Sequence, residues 1–138
     1  MFNTKNKKDK KTLILSTTSL LLKVASSDQI VKEKELHIIK EIICDFFTIS
    51  NQEADSIISK SVELNKDSID LFEAGSYVNN NLSLQDKIDF ILCIYEVAYI
   101  DDHFDFLERH MINQIINILN INKEQIKNIQ KDVRNKLL

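Results

Sequence analysis

Two short stretches place carboxylates at one spacing where an apolar helical run ends. In "VAYIDDHFDFLERH" the apolar run stops at Asp101, and Glu108 follows seven residues later. "VASSDQIVKEKELH" repeats the pattern with Asp28 and Glu35. Carboxylate oxygens are ligands that Ca²⁺ and Mg²⁺ prefer in proteins. A divalent cation shared by the aspartate and the glutamate is therefore one chemistry that this spacing permits.

The two stretches are copies of one pattern, separated by 73 positions. This shift places Val24 on Val97 and Ala25 on Ala98. Beyond these stretches, "FTISNQEADSII" realigns with "LNINKEQIKNIQ" after deletion of one residue, and both segments carry a capping signal at the same place. The repeat predicts two halves of three helices each, which pack face to face with approximate two-fold symmetry.

Composition restricts the fold class and the partners. One Gly and no Pro exclude collagen-like and turn-dense all-β chains. Residues 1–11 hold five Lys and one Asp, so a net charge of −3 leaves about −7 on the remainder, and an acidic body is a poor nucleic-acid binder. We predict a disordered basic tail over residues 1–11, a single domain over residues 12–138, and no nucleic-acid partner. Cys44 and Cys93 lie in apolar helical surroundings, and we expect both to be buried free thiols.

Apolar periodicity and start signals predict an all-α bundle of seven helices. We expect the fourth helix to be short, to end near Gly75, and to be followed by a turn at Asn79–Asn81. The apolar run after the first lysines has the outline of a secretory leader. Residues 20–28 match residues 93–101 inside the domain, so we interpret the run as a core helix. The seven helices are expected to start near residues 12, 33, 51, 67, 84, 106 and 123.

The two glutamates fall at the third position of the second and sixth helices. Because helical side chains tilt toward the helix N-terminus, Glu35 and Glu108 should point back into the turns that hold the aspartates, each at the start of an apolar stripe. A partly buried carboxylate needs hydrogen bonds or a cation. Backbone N–H groups provide the first solution, as in a capping box formed by Asp105 and Glu108. That solution does not require an aspartate seven residues upstream in both copies, so both explanations stay open.

The duplicated "VA-x-x-D-x6-E" at a helix–turn–helix resembles the tellurite-resistance TerB family, which includes the N-terminal domain of DjlA-type co-chaperones. The resemblance covers roughly residues 12–135. It implies a seven-helix domain that binds a divalent cation, with Ca²⁺ or Mg²⁺ favoured by the oxygen ligands. The implied ligands are Asp28, Glu35, Asp101 and Glu108, with Asp102 and Asp105 as additional candidates.

The resemblance also implies a role. Family members are linked to stress-response complexes at the bacterial membrane, so we expect a cytoplasmic or membrane-peripheral module that acts through a protein partner. The Lys-rich tail is a candidate for contact with anionic lipid. The chain has no Gly-rich phosphate loop and no G-x-S-x-G motif, and we predict that it is not an enzyme.

A second hypothesis needs no metal. In it the carboxylates serve as helix caps, and the chain is a structural interaction domain whose partner binds in a surface groove between the two halves.

Overall fold

The computed structural model describes residues 7–25, 33–65, 71–98, 106–122, 124–129 and 131. Over these residues the chain is all-α, with no strand, and the prediction of a seven-helix bundle is confirmed. The first six helices are α1 (Lys7–Ala25), α2 (Glu33–Phe47), α3 (Asn51–Asn65), α4 (Leu71–Asn81), α5 (Leu84–Ala98) and α6 (Phe106–Ile118). Residues 124–129 form α7.

The central element is α1, which packs against each of the next five helices. Most of its apolar side chains are buried, as the interpretation of a core helix requires. Thr17 and Thr18 are buried as well, and their hydroxyls donate to the carbonyl oxygens of Leu13 and Ile14 at 2.8 and 2.7 Å. These bonds satisfy the two hydroxyls inside the core. None of the described helices is long and apolar enough to cross a membrane.

The first helix begins earlier than the sequence pattern indicates. It starts at Lys7, so the predicted start at residue 12 is wrong, and residues 7–11 belong to α1 and not to a disordered tail. Lysine is compatible with a helix, and Asp9 in the first turn interacts favourably with the helix dipole. The carbonyl oxygen of Asp9 lies 3.5 Å from the Tyr77 hydroxyl on α4. Residues 1–6 of the predicted tail lie outside the described residues.

The fourth helix continues past the residues expected to end it. Gly75 lies buried within α4, and the prediction that the helix stops there and turns at the three asparagines is wrong. A Cβ at Gly75 would lie 2.7 Å from Cγ2 of Ile118 on α6. The glycine therefore permits a close approach of two helices. At the end of α4 the Asn81 side chain donates to the carbonyl oxygen of Tyr77 at 2.8 Å, which satisfies a terminal acceptor.

The repeat is visible in how the helices begin and end. Helices α2 and α6 begin 73 positions apart, at Glu33 and Phe106. The turns after these helices contain two residues with positive φ, Thr48 at 54° and Asn120 at 55°. Thr48 and Asn120 occupy the same position when the two segments are aligned with a one-residue deletion.

Both turns also have the same hydrogen bonds. The Ile49 N–H donates to the Cys44 carbonyl oxygen at 3.2 Å, and the Ile121 N–H donates to the Ile116 carbonyl oxygen at 3.3 Å. This is the six-to-one bond of a Schellman motif. In addition, α1 packs against α6 and α2 packs against α5. Because α1 corresponds to α5 and α2 to α6, two symmetric halves are expected to make both contacts. Superposition of the complete halves stays a prediction.

Candidate functional site

Glu35 is the acidic position that the structure describes in full. It is the third residue of α2 and only 5 % exposed, as the sequence predicts. The residues that follow on its side of the helix, Ile39, Ile42 and Ile43, are buried in the core. The apolar stripe thus draws the first turn of α2 against the bundle, and the carboxylate is desolvated with it.

The remaining predicted ligands are not tested by the structure. Asp28, Asp101, Asp102 and Asp105 lie outside the described residues. Glu108 occupies the third position of α6, in the same place as Glu35 in α2, but its side chain is not described. Among the described residues no group of three or more His, Cys, Asp or Glu could hold a metal ion. The metal centre at the two turns stays a prediction.

The histidines that follow the glutamates lie on the surface. His37 and His110 are both exposed. The Nε2 atom of His37 lies 3.1 Å from Oε1 of Glu41, one turn further along α2. His103 lies outside the described residues.

Three helix starts have the side-chain caps that the sequence predicts. In two of them a serine Oγ accepts from the backbone N–H three residues later, at 3.1 Å for Ser50 and Glu53 and at 3.2 Å for Ser83 and Asp86. In the third, Asn122 and Gln125 cap each other reciprocally, at 2.8 and 3.0 Å. Side-chain capping is therefore a recurrent device in this chain, and at α7 the side chain three residues after the cap takes part in it.

A groove of about 300 Å³ lies between α2 and α5. Its apolar floor consists of Ile38, Ile42, Phe46 and Cys93. Phe46 also contacts Phe90 in the core, with ring centroids 6.3 Å apart. Since α2 belongs to the first half and α5 to the second, this groove lies where the metal-free hypothesis expects a partner to bind. The sequence signal for it is the i, i+4, i+8 row of apolar residues on α2.

The rim of the groove is acidic. Glu41, Asp45 and Glu96 line it and are exposed, and no Lys or Arg of the described residues lines it with them. Lys40 of the same helix forms an ion pair with Asp55 on α3, with Nζ and Oδ1 2.9 Å apart, and does not line the groove.

The two cysteines are free thiols, and both are half-buried, so the prediction that they are buried is wrong in degree. Cys44 lies outside the groove, where its Sγ contacts the Ser50 carbonyl oxygen at 3.8 Å. Burial raises the pKa of the Cys44 thiol above its usual value, and nearby Lys40 opposes this shift. Cys93 lies in the floor of the groove.

Seven helices with α1 at the centre, a buried glutamate at a helix start and an acidic groove between α2 and α5 define a small all-helical module. A family model described as tellurite resistance protein TerB matches residues 15–131. The chain belongs to the TerB family and is a tellurite-resistance-related helical module. That family is not a known enzyme family. No curated protein and no solved structure matches the chain.

Proposed function

We propose that this TerB-family module binds a divalent cation through its duplicated Asp-x6-Glu turns and acts by engaging a protein partner in a stress-response or envelope-associated complex. The observation that supports the cation most directly is the burial of Glu35 in the first turn of α2. The family membership supports the accessory role.

The chemistry of the site follows from the cost of burying a carboxylate. Moving an isolated ionised carboxylate out of water is unfavourable unless hydrogen bonds or a cation compensate. At the start of α2 the helix dipole and the backbone N–H groups supply part of that compensation for Glu35. A cation between the helix start and the preceding turn would supply more, with Glu35 and Asp28 as oxygen ligands. The same ligand types would come from Glu108 and Asp101 in the second half.

Thermal unfolding with added metal tests this proposal. The purified protein is stripped with EDTA and melted with Ca²⁺, Mg²⁺, Mn²⁺ or Zn²⁺. A site filled at about 100 times its dissociation constant adds about 2.7 kcal/mol to the free energy of unfolding. Glu35→Gln with Asp28→Asn, and Glu108→Gln with Asp101→Asn, should each remove part of the shift.

The matched control is Glu33→Gln, because Glu33 is an exposed acid on the same first turn as Glu35. This variant should keep the full metal-induced shift. The absence of a shift with every metal, or an equal reduction in the control, would contradict the cation proposal.

The metal-free interaction domain is the second candidate, and two observations favour it. Capping contacts are present at α3, α5 and α7, and the α2–α5 groove offers a surface for a partner. Under this alternative, Glu108→Ala lowers the free energy of unfolding by about 1 kcal/mol, equally in EDTA and in metal. Metal-dependent loss in the same variant would instead favour the cation.

A further inference from the structure

Two faces of the bundle correspond through the 73-residue repeat, and they differ in what covers them. One face lies between α1 and α6, and helix α4 packs on it. The other face lies between α5 and α2, which are the repeat counterparts of α1 and α6, and it forms the acidic groove. Helix α4 occurs once in the chain and does not line that groove.

Individual residues establish the correspondence. Ile118, which Gly75 of α4 contacts, lies two residues before Asn120, and its repeat counterpart is Phe46 in the groove floor, two residues before Thr48. Leu20 on α1 is completely buried, whereas its counterpart Cys93 in the groove floor is half-buried. The two faces nevertheless share a core position of the same residue type. Ile42 corresponds to Ile115, and both side chains are buried. The groove therefore lies at the position where the opposite face carries α4.

We infer that the α2–α5 groove binds one short, basic amphipathic helix of a protein partner, in the place that α4 occupies on the opposite face. The inference rests on the proposed action through a protein partner and is independent of the cation.

Charge determines which kind of helix fits. At two repeat positions of the rim, the covered face has Gln114 and Lys23 where the groove has the acids Glu41 and Glu96. The described part of α4 carries one charged residue, Glu73, so an α4-like helix gains nothing from an acidic rim. A helix with Lys or Arg beside its apolar stripe would place opposite charges at the rim while small apolar residues contact the floor.

The dimensions agree with such an occupant. Helix α4 has 11 residues, or about three turns, and contributes its buried face through Ala74, Gly75 and Val78. The groove floor is likewise built on one face of α2, from Ile38 to Phe46, which spans just over two helical turns. A partner helix of similar length would cover it.

A peptide derived from the α4 sequence tests the inference. The probe is a fluorescein-labelled, helix-stapled peptide of the Leu71–Asn81 sequence with Glu73→Lys, Asn80→Lys and Asn81→Lys. The control peptide keeps Glu73 and carries Asn80→Glu and Asn81→Glu. Fluorescence anisotropy against the full chain in EDTA should show binding of the basic peptide and much weaker binding of the acidic one.

Two matched protein variants locate the binding. Glu41→Gln with Asp45→Asn and Glu96→Gln should weaken the basic peptide about tenfold, since each rim ion pair contributes modestly. Glu33→Gln with Glu73→Gln and Glu124→Gln changes the net charge equally at exposed positions outside the groove and should leave affinity within about twofold. Equal losses in both variants would overturn the inference, because net charge alone would then explain binding.

Thiol alkylation provides a second readout. Bound peptide should slow the reaction of Cys93 with a maleimide and leave Cys44 unchanged, since Cys93 lies in the groove and Cys44 does not. Equal protection of both thiols would place the peptide elsewhere and contradict the inference.

Other occupants give distinct results. If deleting residues 1–6 tightens peptide binding, that segment of the chain itself fills the groove, and the partner helix is wrong. If the free protein is a dimer that the peptide dissociates, a second copy fills the groove, and the partner helix is again wrong. A metal-induced thermal shift without peptide binding would leave the cation proposal standing and would remove only the groove proposal.

Discussion

The turn after α2 and the turn after α6 have the same backbone but different residues. Thr48 and Asn120 occupy the equivalent left-handed position, with φ of 54° and 55°, and the same carbonyl acceptor pattern precedes them. Asparagine tolerates this conformation, whereas a β-branched threonine is strained in it. We infer that the packing of the flanking helices imposes this geometry, and that Thr48 is strained by it in the first half.

Over the described residues, the two faces that correspond through the repeat also differ in whether α4 packs on them. Helix α4 covers the face between α1 and α6, and the counterpart face between α5 and α2 carries acids and a groove. Duplication supplies two similar faces, but one intervening helix can cover only one of them. The two corresponding faces therefore differ in their surroundings although their core residues are alike.

The largest expected effect comes from breaking the contact that covers the first face. Gly75→Val would place new atoms within 2.7 Å of the Ile118 side chain and should lower the free energy of unfolding by about 1–3 kcal/mol. Urea unfolding followed by circular dichroism measures this change. Asn80→Val on the exposed side of α4 should change stability by only about 0.5 kcal/mol. A harmless Gly75→Val would mean that α4 is not closely packed on α6.

A smaller effect is expected from removing the charge of Lys87, which links α5 to α4 and to the end of α6. The Lys87 ammonium donates to Oδ1 of Asn79 at 2.9 Å and to the carbonyl oxygen of Leu119 at 3.1 Å, at the end of α6. Its repeat counterpart, Ile14, is buried in the core. Lys87→Met should cost about 1–2 kcal/mol, because both acceptors lose a donor.

The control for Lys87→Met is Lys60→Met, which removes an equal charge from an exposed position on α3. Thermal melts should separate the two variants clearly. Equal effects would assign the loss at Lys87 to net charge and would weaken the comparison between the halves.

Exchanging the turn residues tests their equivalence directly. Thr48→Asn should raise the free energy of unfolding by about 1 kcal/mol, and Asn120→Thr should lower it by a similar amount, since each change relieves or introduces strain at positive φ. Chemical denaturation of the two variants gives the result. Changes of the same sign would show that the two turns are not equivalent.

The smallest effect is expected at a buried hydroxyl. Among the described residues, Ser61 Oγ on α3 is buried and makes no hydrogen bond. Ser61→Ala removes that unpaired group and should leave stability unchanged or raise it by up to about 1 kcal/mol. Exposed Ser59→Ala is the control. A clear loss at Ser61 would reveal a hydrogen bond that holds α3 against α1.

Local signals in the sequence were sufficient for much of the fold. Capping residues predicted the starts of α3, α5 and α7, and the helical period placed Glu35, which is buried, at the third position of α2. These features depend on residues within one or two turns of each other. The start of α1 at Lys7 was missed because lysines are compatible with both a helix and a solvated tail.

The two candidate sites also differ in how far the sequence alone predicts them. Spacing alone suggested the acidic turns, and burial of Glu35 agrees with that suggestion, while the cation stays a prediction. The acidic groove could not be located from spacing, because its floor and rim come from two helices that are about 50 residues apart in the chain. Only the packing of α2 against α5 brings them together.

The all-α class, the 73-residue repeat and most of the helix starts follow from the amino-acid sequence alone, because each depends on periodicity or on short-range hydrogen bonding. The role of Gly75 is visible only in the packed helices, where it permits contact with Ile118 instead of ending a helix. The same holds for which of the two related faces α4 covers. Such outcomes depend on distant partners and on volume, and a linear pattern does not encode either until the helices are packed.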